Sequence, residues 1–222
     1  MKLHIVLFLL ITLLFSQLRA QHYCAKRDAF SNHQMKSNSL SVAQIEEAKK
    51  YDVHFYALDV AMDNLSTDIA GTGAIHGTAN ETLDSVLFEL FHTFTISEIR
   101  LNGTPTPYSR SNSAIKVPVN LSTGQTFEIA IVYSGTPPTQ TTNPLGGSGM
   151  SNDNSPSWGN QVTWSLSEPF SAYEWWPCKQ DLTDKADSVS IKITVPDNCK
   201  GGSNGVLENV VNLGNGTTRY EW

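Results

Sequence analysis

The sequence predicts an all-β fold, an antiparallel sandwich or open barrel with one short helix near its N-terminus. From Tyr51 onward, apolar and polar residues alternate with a period of two in one short segment after another. Glycine and asparagine separate these segments, as they do in the turns of antiparallel sheets. The regular succession of strands and helices that is typical of parallel α/β sheets is missing from the sequence.

The elements can be predicted in order along the chain. Ser41 and Gln44 have the spacing of a capping box, which predicts a short helix from there to about Lys50. After the fourth predicted strand, Asn102-Gly103 predicts a tight hairpin, because both turn positions need a positive φ. The predicted strands are 51–63, 71–78, 85–94, 99–101, 113–119, 126–133, 161–166, 188–195, 206–213 and 217–222.

The alternation also predicts which side chains share a face of a strand. In the first strand, two sets of residues point to opposite sides: His54, Tyr56, Leu58, Val60 and Met62 against Tyr51, Val53 and Phe55. In the third and sixth strands, one apolar face each is formed by Val86, Phe88, Leu90 and Phe94, and by Phe127, Ile129, Ile131 and Tyr133.

Ser134 to Asn160 is the one long stretch without such a pattern. Small and polar residues dominate it, and a loop of this length and composition predicts disorder in an isolated domain. Nothing in the sequence indicates a second domain. We therefore divide the chain into a leader (1–20), a polar segment with the short helix (21–50) and one β domain (51–222).

The leader has the features of a secretory signal peptide. A basic start at Lys2, a mostly apolar run too short to span a bilayer, and Ala20 ahead of Gln21 predict export to a secreted or periplasmic location. Its removal leaves thirteen basic residues against twenty-one acidic ones, a net charge of −8. An acidic surface repels phosphate backbones and anionic lipid, so neither nucleic acid nor, after signal removal, a membrane is an expected partner.

The cysteine and histidine residues predict no catalytic or metal site in this chain. Cys24, Cys178 and Cys199 are odd in number, so one stays free or pairs with another chain in an oxidising compartment. A disulfide between Cys178 and Cys199 is possible, but their spacing in the sequence does not decide whether it forms. Cys-x-x-Cys, paired histidines at helical spacing, nucleophile elbows and phosphate-binding glycine loops are all missing from the sequence.

The most specific stretch of the sequence runs from Glu168 to Val195. It reads Glu-Pro at 168–169, Trp-Trp-Pro-Cys at 175–178, an acidic turn, Lys-Ala at 185–186 and an alternating strand. In this order it resembles the segment that closes the N-terminal domain of the aminopeptidase N family of zinc metallopeptidases, peptidase family M1. The resemblance extends over about residues 45–222.

The resemblance implies a saddle-like β domain that packs on a thermolysin-like zinc domain and closes one side of the active-site cleft. It implies that Glu168 takes the place of the Glu in the family's Gln-x-Glu and binds the ammonium group of a peptide N-terminus. Leu166 stands where the family has Gln, which puts the finer specificity in doubt.

The family's zinc motif, His-Glu-x-x-His with a distant Glu, does not occur in these 222 residues, nor does its Gly-x-Met-Glu-Asn loop. The resemblance therefore implies that zinc and the catalytic residues belong to a catalytic domain of the same polypeptide. In the complete enzyme, zinc and a glutamate base would activate water against the first peptide bond. We expect the present chain alone to be inactive.

Several features also have another interpretation. Glu168 could cap a turn before Pro169, and Tyr173, Trp175 and Trp176 could either anchor packing or form a stacking platform for sugars. Such a platform belongs to the alternative function, a free-standing secreted β-sandwich module that binds carbohydrate or protein.

Two further patterns remain. The acidic turn at Asp181, Asp184 and Asp187 is predicted to be solvated, with Lys185 as its partner, since calcium needs denser oxygen ligands. Five Asn-x-Ser/Thr sequons suit either N-glycosylation or the ordinary composition of β turns; they begin at Asn64, Asn80, Asn102, Asn120 and Asn215.

Overall fold

The structure, a computed structural model, describes residues 40–138, 149–155, 157, 159–167 and 170–222. The predicted signal peptide, Cys24, Glu168 and Pro169 lie outside the described residues. Among the residues that are described, no helix is long and apolar enough to cross a membrane.

The described chain confirms the all-β prediction. Its one α-helix, α1, spans Val42–Ala48 and begins with the predicted capping box. The Gln44 amide N–H donates to Ser41 Oγ (3.3 Å), and the Ser41 amide N–H donates to Gln44 Oε1 (2.9 Å). These two bonds satisfy amide donors that a helix start otherwise leaves without partners.

Thirteen strands follow within the described ranges. They are β1 (Tyr51–Ala61), β2 (Ile69–Ala79), β3 (Leu83–Glu89), β4 (Thr95–Leu101), β5 (Thr104–Pro105), β6 (Ser109–Ser111), β7 (Ala114–Leu121), β8 (Thr126–Gly135), β9 (Met150–Asn154), β10 (Gln161–Ser165), β11 (Ser188–Pro196), β12 (Asn209–Asn212) and β13 (Thr217–Glu221). Asn102 and Gly103, with φ of 50° and 79°, form the predicted turn between β4 and β5.

The strands form three sheets. The largest has the order β12-β13-β11-β1-β2-β8-β4-β5, a second has the order β3-β7-β6, and β9 pairs with β10. The pairs are antiparallel with one exception: β1 and β11 are parallel, with Leu58 opposite Ile191. The sequence did not predict this pair, because the alternation within a strand does not encode the direction of its neighbour.

A β-bulge explains why the two faces predicted for the first strand are both partly right. The pairing of β1 with β2 shifts between Val53 and Phe55, so the inward face changes phase there. Tyr51 and Val53 are buried before the bulge, and Leu58 and Val60 are buried after it.

The core lies mainly between the large sheet and the β3-β7-β6 sheet. The inward face of β8 is buried as predicted, with Ile129 and Ile131 fully inaccessible. The predicted face of β3 is also buried, but Ser85, Leu87 and Glu89 on its other side are buried as well. Helix α1 covers that side, where Ser85 Oγ donates to Glu47 Oε1 at 2.7 Å.

The prediction of one long loop from Ser134 to Asn160 is wrong in part. β8 continues to Gly135, and β9 is a strand made largely of polar residues. β9 has no apolar alternation because side-chain hydrogen bonds help to hold it: Asn152 Nδ2 donates to the Asn64 carbonyl (2.8 Å) and to Thr163 Oγ1 (2.7 Å). Residues 139–148, 156 and 158 of this stretch lie outside the described residues.

Candidate functional site

The Trp-Trp-Pro-Cys segment is fixed to the end of β3 by its backbone. A 3₁₀ turn, Ala172–Glu174, leads into Trp175. Cys178 then pairs with Glu89: the Cys178 amide donates to the Glu89 carbonyl (3.0 Å) and the Glu89 amide to the Cys178 carbonyl (2.9 Å). This pair of bonds holds the motif against the core.

The aromatic side chains of the segment serve packing. Tyr173 is buried beside Phe91, with ring centroids 5.9 Å apart. Trp176 meets Tyr56 edge to face at 4.8 Å, and Trp175 Nε1 donates to Ser167 Oγ at 2.9 Å. Because Tyr173 is buried, it cannot stack on a sugar. The interpretation of Tyr173, Trp175 and Trp176 as one stacking platform is therefore wrong.

A close backbone approach places Pro177 on the large sheet. A Cβ added to Gly73 in β2 would lie 2.6 Å from Pro177 Cγ, closer than carbon atoms approach in folded proteins. The absence of a side chain at Gly73 therefore lets the segment lie directly on β2.

An ion pair holds the residues that follow Cys178. Lys179 and Asp184 are paired, and their side chains are 4% and 8% exposed. Lys179 Nζ also donates to the Tyr51 carbonyl at 2.6 Å, and the Val53 amide donates to Asp184 Oδ2 at 3.2 Å. The prediction of a solvated turn with Lys185 as partner is therefore wrong for Asp184, which is buried and bound to β1 and Lys179.

Glu168 itself lies outside the described residues, but the residues before it are anchored. The Leu166 amide donates to the Gly149 carbonyl (3.3 Å), and the Gly149 amide donates to Glu174 Oε2 (2.6 Å). Glu174 is 3% exposed. A buried carboxylate thus holds Gly149, which in turn accepts a hydrogen bond from Leu166, the residue after β10.

The residues after Glu168 are anchored too. The Ser171 amide donates to the Ser167 carbonyl (3.0 Å), and Gln180 Nε2 donates to the Phe170 carbonyl (2.9 Å). The sequence analysis missed Glu174 and Gln180, because single polar residues that bind backbone groups leave no periodic signal.

The described cysteines are free thiols. Cys178 is buried. Burial raises the pKa of its thiol well above the usual range, and the negative charge of the nearby Glu89 raises it further. The thiol therefore stays protonated and unreactive. Cys199 lies beside Asn64, with Sγ 3.3 Å from Asn64 Oδ1. Between these two cysteines there is no disulfide.

The described residues contain no side-chain cluster that fits a zinc ion. No group of three or more His, Cys, Asp or Glu side chains comes close enough together in this part of the chain to hold a metal ion. A catalytic zinc needs three protein ligands. The site that the sequence analysis predicts in this chain is a substrate-binding one with Glu168 as its candidate residue, and Glu168 lies outside the described residues.

Comparisons with solved structures show the fold. A two-domain M1 zinc metallopeptidase bound to L-arginine superposes with a TM-score of 0.69 and 22% identity. An M1 zinc metallopeptidase from Deinococcus radiodurans bound to a Tyr-Ser-Ala substrate gives 0.67 and 21%, and yeast LTA4 hydrolase gives 0.59 and 15%. Each match covers 78% of this chain.

The chain spans 39% of the length of the two M1 metallopeptidases and 27% of that of the yeast hydrolase. It has the fold of the N-terminal domain of a two-domain M1 peptidase. No family model and no curated protein matches the sequence.

Proposed function

We propose that this chain, whose fold is that of the N-terminal domain of M1 zinc metallopeptidases, forms the cleft wall of a zinc aminopeptidase. Glu168 binds the ammonium group of the peptide N-terminus, and a catalytic domain of the same polypeptide is the partner. One observation supports this most: hydrogen bonds hold the residues on both sides of Glu168. Leu166 is bonded to Gly149, which the buried Glu174 binds, and Phe170 is bonded to the buried Gln180.

The chemistry follows from charge and position. A carboxylate pairs with a free ammonium group, which is the group that distinguishes the end of a peptide from its interior. Leu166, two residues earlier, offers an apolar contact where the family has an amide. In this proposal the chain supplies recognition of the amine, and the catalytic domain of the same polypeptide supplies the zinc chemistry.

The test is Glu168→Gln in a reconstructed full-length enzyme that carries this chain as its N-terminal domain. The substitution keeps the shape and removes the charge. Hydrogen bonds to charged groups contribute roughly 1.5 to 3 kcal/mol, so kcat/KM for an aminoacyl anilide should fall roughly tenfold to a hundredfold. A substrate with a neutral group in place of the amine should lose much less.

The matched control is Glu208→Gln, at an exposed carboxylate for which the structure shows no side-chain contact. It should leave kcat/KM unchanged. Leu166→Gln restores the family's amide and should change the preference among N-terminal residues while the fold is kept. If Glu168→Gln folds and is kinetically silent, Glu168 is a turn residue and the proposal fails.

A further inference from the structure

Three Asn-Gly pairs occur in the sequence, at 102–103, 204–205 and 215–216. Asparagine loses its side-chain amide most readily when glycine follows it, because glycine has no Cβ to keep its backbone nitrogen away from the carboxamide. That nitrogen can then attack the asparagine Cγ and expel ammonia. The reaction needs a carboxamide that can rotate and a backbone that can move, so the fold decides which of the three pairs reacts.

The first pair is held by hydrogen bonds to β8. Asn102 Oδ1 accepts from the Glu128 amide (2.9 Å), and the Asn102 amide donates to the Glu128 carbonyl (2.9 Å). Both residues of the pair lie in the tight turn between β4 and β5, with φ of 50° and 79°. Rotation of the Asn102 carboxamide toward the Gly103 nitrogen therefore has to break a hydrogen bond first.

The third pair is held as well, in the turn between β12 and β13. Asn215 Oδ1 accepts from Thr217 Oγ1 (2.6 Å), and the Gly216 carbonyl accepts from the Asp197 amide (3.0 Å). The Leu213 amide closes the same turn by donating to the Thr217 carbonyl (3.0 Å). The carboxamide and the backbone are both restrained here, although the bond to Thr217 is exposed to water.

The second pair has no such restraint. Asn204 and Gly205 are exposed residues of the loop between β11 and β12. In the part of the chain that the structure describes, neither the Asn204 side chain nor the backbone of either residue makes a hydrogen bond. A Cβ added to Gly205 would meet no atom within 4 Å, so there is open space around the pair. Segments with few hydrogen bonds and few contacts move at low free-energy cost.

We propose that Asn204 is a site of spontaneous deamidation in the folded protein. The Gly205 nitrogen loses its proton and forms a bond to Asn204 Cγ, the bond from Cγ to Nδ2 breaks, and the released nitrogen takes up a proton and leaves as ammonia. Water then opens the cyclic succinimide at either carbonyl and gives aspartate or isoaspartate, each with a new carboxylate. The inference is independent of the proposed function, because the reaction needs only this pair and water.

The experiment incubates the folded whole chain at mildly alkaline pH and follows the three pairs by peptide mass spectrometry. Trypsin with a glutamate-specific protease separates them, because Glu208 lies between Asn204 and Asn215. We expect the Asn204 peptide to change from amide to acid at least roughly tenfold faster than the Asn102 peptide, since hydrogen bonds must open first around Asn102. In denaturant, where these bonds are absent, the three pairs should react at similar rates.

Isoelectric focusing gives an independent readout, because each deamidation adds one negative charge. Asn204→Gln should remove the earliest acidic form, since the longer glutamine side chain forms the corresponding ring far more slowly. The matched control Asn215→Gln, at another exposed asparagine, should leave that form in place, and circular dichroism checks that both variants fold. The proposal is overturned if Asn204 in the folded chain keeps its amide as long as Asn102 does. It is also overturned if the same difference persists in denaturant, or if the earliest acidic form survives in Asn204→Gln.

Discussion

Replacing Lys179 by methionine should be among the most destabilising single changes in the domain. The ammonium group of Lys179 lies 2.6 Å from the Tyr51 carbonyl, 4.4 Å from the centre of the Tyr51 ring, and in contact with Asp184. Methionine fills a similar volume but leaves the Asp184 carboxylate buried without its counter-charge. Breaking one half of a buried ion pair costs about 3–5 kcal/mol.

Urea denaturation monitored by circular dichroism measures this loss. With a slope of roughly 2 kcal/mol per molar urea, the midpoint should fall by about 1.5–2.5 M. The double variant Lys179→Met/Asp184→Asn should recover much of the stability, because no unpaired charge then remains. Lys49→Met is the matched control: its partner is Glu46, and both side chains are more than half exposed, so the change should be below about 1 kcal/mol.

A loss below 1 kcal/mol for Lys179→Met would refute the reasoning, since it would mean that Asp184 stays hydrated in the folded chain. Equal losses for the single and the double variant would refute it too. The cost would then come from packing of the lysine stem and from the Tyr51 carbonyl, independently of the charge on Asp184.

Three further predictions concern stability. Gly73→Ala should cost about 1–3 kcal/mol in urea unfolding, because the new Cβ would lie 2.6 Å from Pro177 Cγ. Asp52→Asn should stabilise the domain near pH 7 and have no effect well below pH 4. Burial, and after it the negative charge of Asp184, raises the pKa of Asp52 in the folded chain. Ionisation of this carboxyl group therefore favours the unfolded chain, and the asparagine removes that cost. Stability should fall between about pH 10 and 12, because burial raises the pKa of Tyr173 to about 12 while the unfolded chain ionises near 10.

Each of these has a discriminating comparison. Gly202→Ala meets no atom within 4 Å and should be neutral, so an equal loss at both glycines would contradict the steric argument. For Asp52→Asn, a gain that persists at pH 3 would show that the amide acts through contacts other than the titrating carboxyl. In the alkaline range, Tyr173→Phe should lose less stability between pH 10 and 12 than the unmodified chain, and an equal loss would contradict the assignment to Tyr173.

The sequence predicted those elements whose signal is local. A capping box, an Asn-Gly turn and the alternation in β8 each depend on residues that are neighbours along the chain, and the structure confirms all three. In the sequence, the bulge in β1 appeared only as two competing apolar faces. An inserted residue moves the inward-facing positions from one set of alternating residues to the other, while the alternation itself continues.

The features that the sequence did not predict depend on distant partners. β9 is held by the Asn152 side chain, which bonds to Asn64 and Thr163, and the parallel pair β1–β11 joins segments far apart in the sequence. Asp184 looked like a surface residue in an acidic turn, but its partners, Lys179 and Val53, come from a neighbouring segment and from another strand. Composition cannot distinguish a solvated carboxylate from one that a buried lysine neutralises.

The segment from Leu166 to Asp187 shows why resemblance and activity need separate tests. Pro177 packs on β2, Cys178 pairs with β3, and Lys179 neutralises Asp184, so the residues that make the motif recognisable are the ones that stabilise the fold. They would be retained in a domain that had lost amine recognition as readily as in one that keeps it. Glu168 differs from them, because its proposed role depends on a charge facing the substrate. Loss of kcat/KM in Glu168→Gln with unchanged unfolding would therefore indicate function, whereas Lys179→Met reports on the fold alone.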